Sequence, residues 1–459
     1  MRTEESILRK ALAAFRTPSL AILAFGALAL AGCELGVSNP AEIEEADLET
    51  EAAVPAIVNG ARHTFGLATT IFGGGGVYSA SALLTDELVH SGSWVPLREI
   101  SEGLPGNESP ENQSHWGYSS QARWQAEDAI GKAQGLVQDP AGNQWVAMAM
   151  LYAGFSNRLM GDMFCDAVVD GGPRQEHTVF HERAVDFFTS AAEVAQAGGH
   201  VELRNAALAG RAQARMMLGE WDQAVSDAQQ VSTSFRFDHV HSENSNNEHN
   251  GVHNWAVRGD NGDQMTVWGT PFAGWGLAVD GGVESEGDPR VSFRVMVDGD
   301  GSQVVGGDNR RPLWYSQKYA SRSTDIPMAK GTEMRLIEAE AQLRGGQVQG
   351  AVSLINDVRA HHGLDPVSAT SPTEAWDLLV RERGIELWLE GRRLPDLRRW
   401  AADPTTAPRA GLPVVREVAF GQPAEQDPAR NVLDADPLCL RVSTNEIASN
   451  PNLQNDPPR

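Results

Sequence analysis

The chain has 459 residues, room for one large domain or two to three ordinary ones, and a sizeable core is no difficulty at that length. With 61 Asp/Glu against 37 Lys/Arg its formal net charge is −24. Such acidity excludes nucleic acid as a partner, because phosphates need a basic surface.

Residues 1–32 read as a signal peptide: Arg9, Lys10 and Arg16 are its positive region, and Leu20 to Leu30 is an apolar run short for a bilayer. Leu30-Ala31-Gly32-Cys33 then resembles a bacterial lipobox, so Cys33 is expected to become the lipidated first residue of the mature chain. An ordinary signal peptide followed by a chance cysteine is the alternative. Cleavage removes four Lys/Arg and two Asp/Glu and takes the charge to −26. Residues 33–53 are an acidic tether, and 54–459 are expected to form a single domain with no second apolar run of spanning length.

The spacing of Ala56 to Ala68 predicts a first helix, and Gly73 to Gly76 must be loop; without a following Gly-Lys-Ser/Thr that run is no phosphate loop. Polar sequence between Leu83 and Tyr118 carries Trp94, Trp116 and Tyr118. A helix with small residues follows over Ala122 to Ala133, then another over Trp145 to Met160. Ala212, Ala214, Gly219, Ala224, Val225 and Val231 recur as Ala339, Ala341, Gly346, Ala351, Val352 and Val358, each pair offset by 127. Both copies read helix, glycine turn, helix, the logic of a tetratricopeptide-like hairpin. Hairpins are thus expected over about 120–235 and 330–400, and Trp145 to Met160 with His181 to Ala197 make a third.

Between the copies, about 236–330 is rich in Gly, Asn, Asp and His and holds Trp255, Trp268, Trp275, Trp314 and Tyr315. It is too long and too aromatic for a linker, so an irregular inserted lobe is expected, with short strands near Val291 to Val297.

Ser371, Pro372 and Glu374 have the pattern of a capping box with a proline start. Leu378, Leu379, Ile385, Trp388 and Leu389 then share one face, and Gly391 follows as a stop. The opposite face interleaves Arg381, Glu382, Arg383, Glu386 and Glu390 with Arg392, Arg393, Asp396, Arg398 and Arg399. A solvated charged face and an ion-pair network at a helix junction are both consistent with it. The order E-R-x-I-E-L-x-x-E-G-x-R-x-x-D-L-R-R-W, from Glu382 to Trp400, resembles the C-terminal signature of the SusD/RagB family of outer-membrane nutrient-uptake lipoproteins. Asp288-Pro289-Arg290, Lys318-Tyr319, Asp325-Ile326-Pro327, Glu446-Ile447 and Asn450 to Asn455 are similar to other landmarks of that family; Arg441-Val442-Ser443 departs from its usual Pro-Ile-Pro.

The resemblance implies a mostly α fold of tetratricopeptide-like hairpins, a loop-rich ligand lobe and an extended C-terminal segment over 401–459. It also implies a lipid-anchored protein facing the cell exterior, which captures an oligosaccharide or another nutrient and delivers it to a SusC-like TonB-dependent transporter. No reaction, cofactor or metal is expected. The alternative is a tetratricopeptide-like scaffolding lipoprotein, which needs no exposed tryptophans in the lobe. A surface glycoside hydrolase is a third reading, but carboxylate separation is not written in sequence.

Sugars bind to exposed aromatic rings rimmed by polar groups. Trp145, Trp221, Trp376 and Trp388 fall at helical spacing and are assigned to packing. The ligand contacts are therefore expected at Trp268 and Trp275, then Trp94 and Asn107, with Trp116 and Trp255 behind them. Cys165 and Cys439 remain as an even pair once Cys33 is acylated, and a disulfide and two buried thiols stand open. His177 and His181 read as a surface helix start rather than metal ligands; His239, His241, His249 and His253 read as a polar loop.

Overall fold

A computed structural model describes residues 48–70, 76–106, 108–256, 263–279, 286–403, 414–416, 429–431 and 438–454. The expected signal peptide, Cys33, Asn107 and Gly73 to Gly75 lie outside the described residues. Helix α1 (Val54–Thr70) buries Val58, Ala61, Phe65 and Ala68, a face at spacings of three and four. After it come α2 (Gly76–Leu84), β1 (Val89–His90), α3 (Val95–Ser101) and α4 (Pro110–Leu136). Helix α4 begins well before the alanine pattern, so Trp116 stands on a helix rather than in irregular chain. Next are α5 (Gln144–Met163), β2 (Asp166–Ala167), β3 (Gln175–Glu176), α6 (Thr178–Ala197), α7 (Val201–Leu218) and α8 (Trp221–Ala228), and each helix from α4 to α8 packs on the next. From Thr50 onward the chain is one compact unit.

The lobe starts at β4 (Arg236–His239) and ends at β9 (Ile326–Lys330), and these strands pair antiparallel, so the insertion leaves and rejoins the scaffold at one neck. Between them lie α9 (Gly251–Ala256), β5 (Met265–Thr266), α10 (Pro271–Trp275), β6 (Gly276–Ala278), β7 (Asp288–Val295) and β8 (Trp314–Ser316). Strand β7 is central in a three-stranded sheet, parallel to β6 and antiparallel to β8. Trp255 and Trp275 stand on short helices, which a loop reading of the lobe did not anticipate.

The second repeat is α11 (Gly331–Arg344) and α12 (Val348–His361), packed against the first through α8. Both hairpins turn on glycines in the left-handed region, Gly219 and Gly346, each at φ 75°. A side chain there would be strained, so the 127-residue offset has a backbone cause.

The signature forms two helices instead of one: α13 (Pro372–Glu386) and α14 (Arg393–Ala402). The capping box is present, with Ser371 Oγ accepting from the Glu374 amide and Glu374 Oε2 accepting from the Ser371 amide. Leu389 at φ 59° and Gly391 at φ 68° then turn the chain, so both helix ends have an identifiable cause. The charged face is not solvated. Glu382, Arg383, Glu386, Glu390, Arg392, Arg393 and Asp396 are all buried, and the ion-pair alternative holds.

The C-terminal segment ends in α15 (Thr444–Ser449), capped by Ser443, which occupies the departure from Pro-Ile-Pro. Leu440 bridges Phe164 in parallel, with Cys165 N–H donating to Leu440 O at 2.9 Å. Beside this bridge Cys165 and Cys439 form a disulfide, Cα–Cα 5.2 Å. Asn450 and Asn452 donate to the carbonyls of Gly172 and Gly171, fastening the ending to the loop after α5. No helix among the described residues is long and apolar enough to cross a membrane.

Candidate functional site

The signature charges hold the lobe in place. Arg290, on β7, reaches Glu382 at 2.5 Å and Glu386 at 3.1 Å; Lys330, at the neck, reaches Glu386 and Glu390 at 3.0 Å; Lys318 reaches Glu390 at 2.6 Å. Burial alone would raise the Glu386 carboxyl, but Lys330, His362 and Thr332 hold it well below the usual range. Carboxylates of α13 and its following turn are thus a socket for cations of the lobe.

Strand β1 pairs with β5, Val89 opposite Thr266 and His90 opposite Met265, which brings the N-terminal loop onto the lobe. Ser91 N–H donates to Gln264 O at 2.8 Å, and Ser91 O accepts from Asp308 N–H at 2.9 Å. Gly307 N–H donates to Asp263 O at 3.2 Å. Backbone approaches backbone this closely at Gly306, where a Cβ would overlap the Ser91 carbonyl, while Gly92 leaves room for the Gln264 side-chain amide. Over this junction opens a cavity of about 590 Å³, bounded by Arg98 of α3 and Glu102 at its C-terminal end on one side and Asp308, Arg310 and Arg311 of the lobe on the other. His90, 1% exposed, lies deep in its lining, and burial, then Arg311 and Arg98, push its pKa down to about 3.

Trp94 stands between two lining residues of this cavity, Ser93 and Val95, and is 48% exposed. Its Nε1 donates to Glu111 Oε1 at 2.5 Å and its amide to Gln264 Oε1 at 3.2 Å, so the residue is held once through its half-open ring and once through its backbone. Such a ring can meet the flat C–H face of a sugar.

The other tryptophans separate. Trp275 is half-buried with its ring against Phe272 at 5.0 Å and Arg381 at 5.9 Å, facing α13 rather than the cavity. Trp268 is half-buried, and its amide shares the Thr266 hydroxyl with that of Trp314. Two expectations are corrected: Trp116 is 3% exposed with its ring edge-on to Phe164, and Trp255 is 7% exposed, so both are core residues. Sequence reasoning missed the cavity's polar wall, although the adjacent Arg310 and Arg311 beside Gly306-Gly307 stand out in an acidic chain.

The histidine readings also change. His181 is fully buried, Nε2 bonded to Asp162 Oδ1 at 2.9 Å, and is no surface residue; burial pushes its pKa down to about 3. His239, His241 and His249 are buried rather than in a polar loop; the rings of His239 and His241 are 5.0 Å apart and line a cavity of about 290 Å³ with Arg62 and His63. Among the described residues no group of three or more His, Cys, Asp or Glu could hold a metal ion.

Residues 309–457 match the sequence model of the SusD family. That C-terminal third of the chain is SusD-like in sequence. SusD-like structures share its fold: a SusD-like carbohydrate binding protein from Bacteroides vulgatus (15% identity, TM-score 0.62, covering 89% of this chain and 98% of that one) and a SusD-like protein from Bacteroides fragilis (14%, 0.65, 89% and 97%). A SusD superfamily protein from Parabacteroides distasonis is similar at 13% identity and TM-score 0.62, covering 88% and 98%. No curated protein matches the chain. The SusD model takes in the signature helices and the lobe from Asn309, so the cavity's Arg310 and Arg311 fall inside it and Trp94 outside.

Proposed function

We propose that this SusD-like chain is a lipid-anchored protein of the outer membrane, facing the cell exterior, that binds a glycan and passes it to a SusC-like TonB-dependent transporter. The observation that carries the glycan reading is Trp94: a half-exposed ring tied to Glu111 through Nε1, on a residue whose neighbours Ser93 and Val95 line a cavity shared by the N-terminal loop and the lobe. The similar Bacteroides vulgatus structure is described as carbohydrate binding, which supports the ligand class. Anchoring rests on the lipobox at Cys33, and a hydrophilic leader of about 18 residues gives a lid over a barrel freedom to hinge. Residues 54–459 act as one domain in this reading, with Trp268 and Trp275 as a second aromatic pair for a longer ligand. No reaction is assigned.

The scaffold alternative needs no half-exposed ring at a polar cavity. Binding of a polysaccharide panel by wild type and Trp94→Ala, with melting temperature as control, separates the two. Loss of binding at unchanged melting temperature supports capture; wild-type protein that binds no saccharide favours the scaffold.

A further inference from the structure

The cavity beside Trp94 is unlike the surface around it. The chain carries 61 acidic residues against 37 basic ones, yet the cavity wall sets Arg98, Arg310 and Arg311 against Glu102 and Asp308. Each arginine is placed differently. Arg311 is buried and fixed, with Nη1 donating to His90 O and to Asp308 Oδ2 at 3.1 Å. Arg310 follows a turn held by Asn309 at φ 56° and by its own amide donating to Asp308 Oδ1 at 2.9 Å, so its start is fixed while its side chain is half-buried. Arg98 meets Glu102 only at 3.6 Å in a partly exposed pair along one helix turn, which holds it weakly.

His90 adds an independent observation. No hydrogen bond of ordinary geometry reaches either ring nitrogen, although the Gln264 side chain and the Trp94 backbone lie near enough to favour the protonated form slightly. A neutral imidazole carries one N–H, which those two neighbours hold only loosely. Burial is the main reason that ring stays neutral; Arg311 and Arg98 are the next two, which reports a positive potential at the bottom of the cavity. A positive potential, guanidinium forks and a loosely held imidazole N–H are together suited to an oxyanion.

We propose that this cavity selects an anionic saccharide, seating a carboxylate or sulfate group between Arg98, Arg310 and His90 while Trp94 meets the ring. The proposal rests on the glycan-binding reading of the same cavity. A neutral sugar hydroxyl would also satisfy His90, so charge is the discriminating variable. The acidic remainder of the protein repels polyanions, and this wall is then where one can be held.

The test uses polygalacturonate, alginate, hyaluronan and chondroitin sulfate, each beside its carboxyl-reduced or desulfated counterpart, with wild type, Arg98→Gln, Arg310→Gln and Trp94→Ala. The expected result is at least one acidic polymer bound roughly ten-fold or more tightly than its neutral counterpart, with either Gln variant erasing about ten-fold and added salt weakening binding. Neutral counterparts bound as well as the acidic forms, and lost in Trp94→Ala, would overturn the charge selection and leave the glycan site standing. Binding untouched by Trp94→Ala and by both Gln variants would remove the site and the proposal together. Failure of every acidic polymer to bind also overturns the proposal.

Discussion

Arg393 clamps Asp86 with two parallel hydrogen bonds, Nε to Oδ1 at 2.7 Å and Nη2 to Oδ2 at 2.8 Å, joining α14 to the segment that leads into β1. Both side chains are buried, at 1% and 0% exposure. Removing only the cation leaves a carboxylate in the core, so Arg393→Met should destabilise by about 3–5 kcal/mol. The double variant Asp86→Leu/Arg393→Met should lose less than Arg393→Met alone. Urea unfolding of the three proteins measures this, and a double variant worse than the single one would show that the pair's charge is not what matters.

Beside Asp86, Glu87 accepts the Leu389 amide at 2.6 Å, and burial first of all pushes its pKa up to about 8. The folded state therefore keeps a proton that the unfolded state releases above its ordinary value of 4.5, and stability falls as pH rises from about 4.5 to 8. Glu87→Gln keeps the acceptor and removes the titration. Its stability relative to wild type should climb across that window by on the order of a few kcal/mol, read from melting curves at several pH values. A constant difference between the two proteins would contradict the assignment.

The disulfide between Cys165 and Cys439 spans a sequence separation of 274, so it limits the unfolded chain strongly; the loop-entropy model gives about 5–6 kcal/mol. Reduction, or Cys165→Ala with Cys439→Ala, should lower the melting temperature. Thiol labelling of denatured, unreduced protein checks the bridge directly, and two reactive equivalents would rule it out.

How much was readable follows the physics of each signal. The capping box at Ser371, the glycine turns at 219 and 346 and the α1 face are local patterns, and each stands as spacing predicts. The charged stripe from Glu382 to Arg399 was ambiguous because helical spacing of charges looks the same whether water or Arg290, Lys318 and Lys330 surround it. Trp116 and Trp255 were misjudged for the same reason: an aromatic in polar sequence does not announce which side of the chain is covered. The cavity depends on β1 meeting β5 across about 175 residues of intervening chain, a pairing no local pattern encodes.

If Cys33 carries the anchor, Cys33→Ala should move the protein from the membrane fraction to the soluble one. A variant that resists carbonate washing as wild type does would place the anchor elsewhere. Affinity isolation of wild type from solubilised outer membranes should recover a TonB-dependent barrel, whereas soluble partners alone would support the scaffold alternative.

The most direct test of glycan capture is a crystal structure of the protein with a saccharide chosen by the binding panel. The account predicts a sugar ring against Trp94, with its polar groups directed to Arg98, Arg310 and His90. A saccharide seated wholly elsewhere, with the cavity between Ser93 and Arg310 holding only solvent, would contradict it.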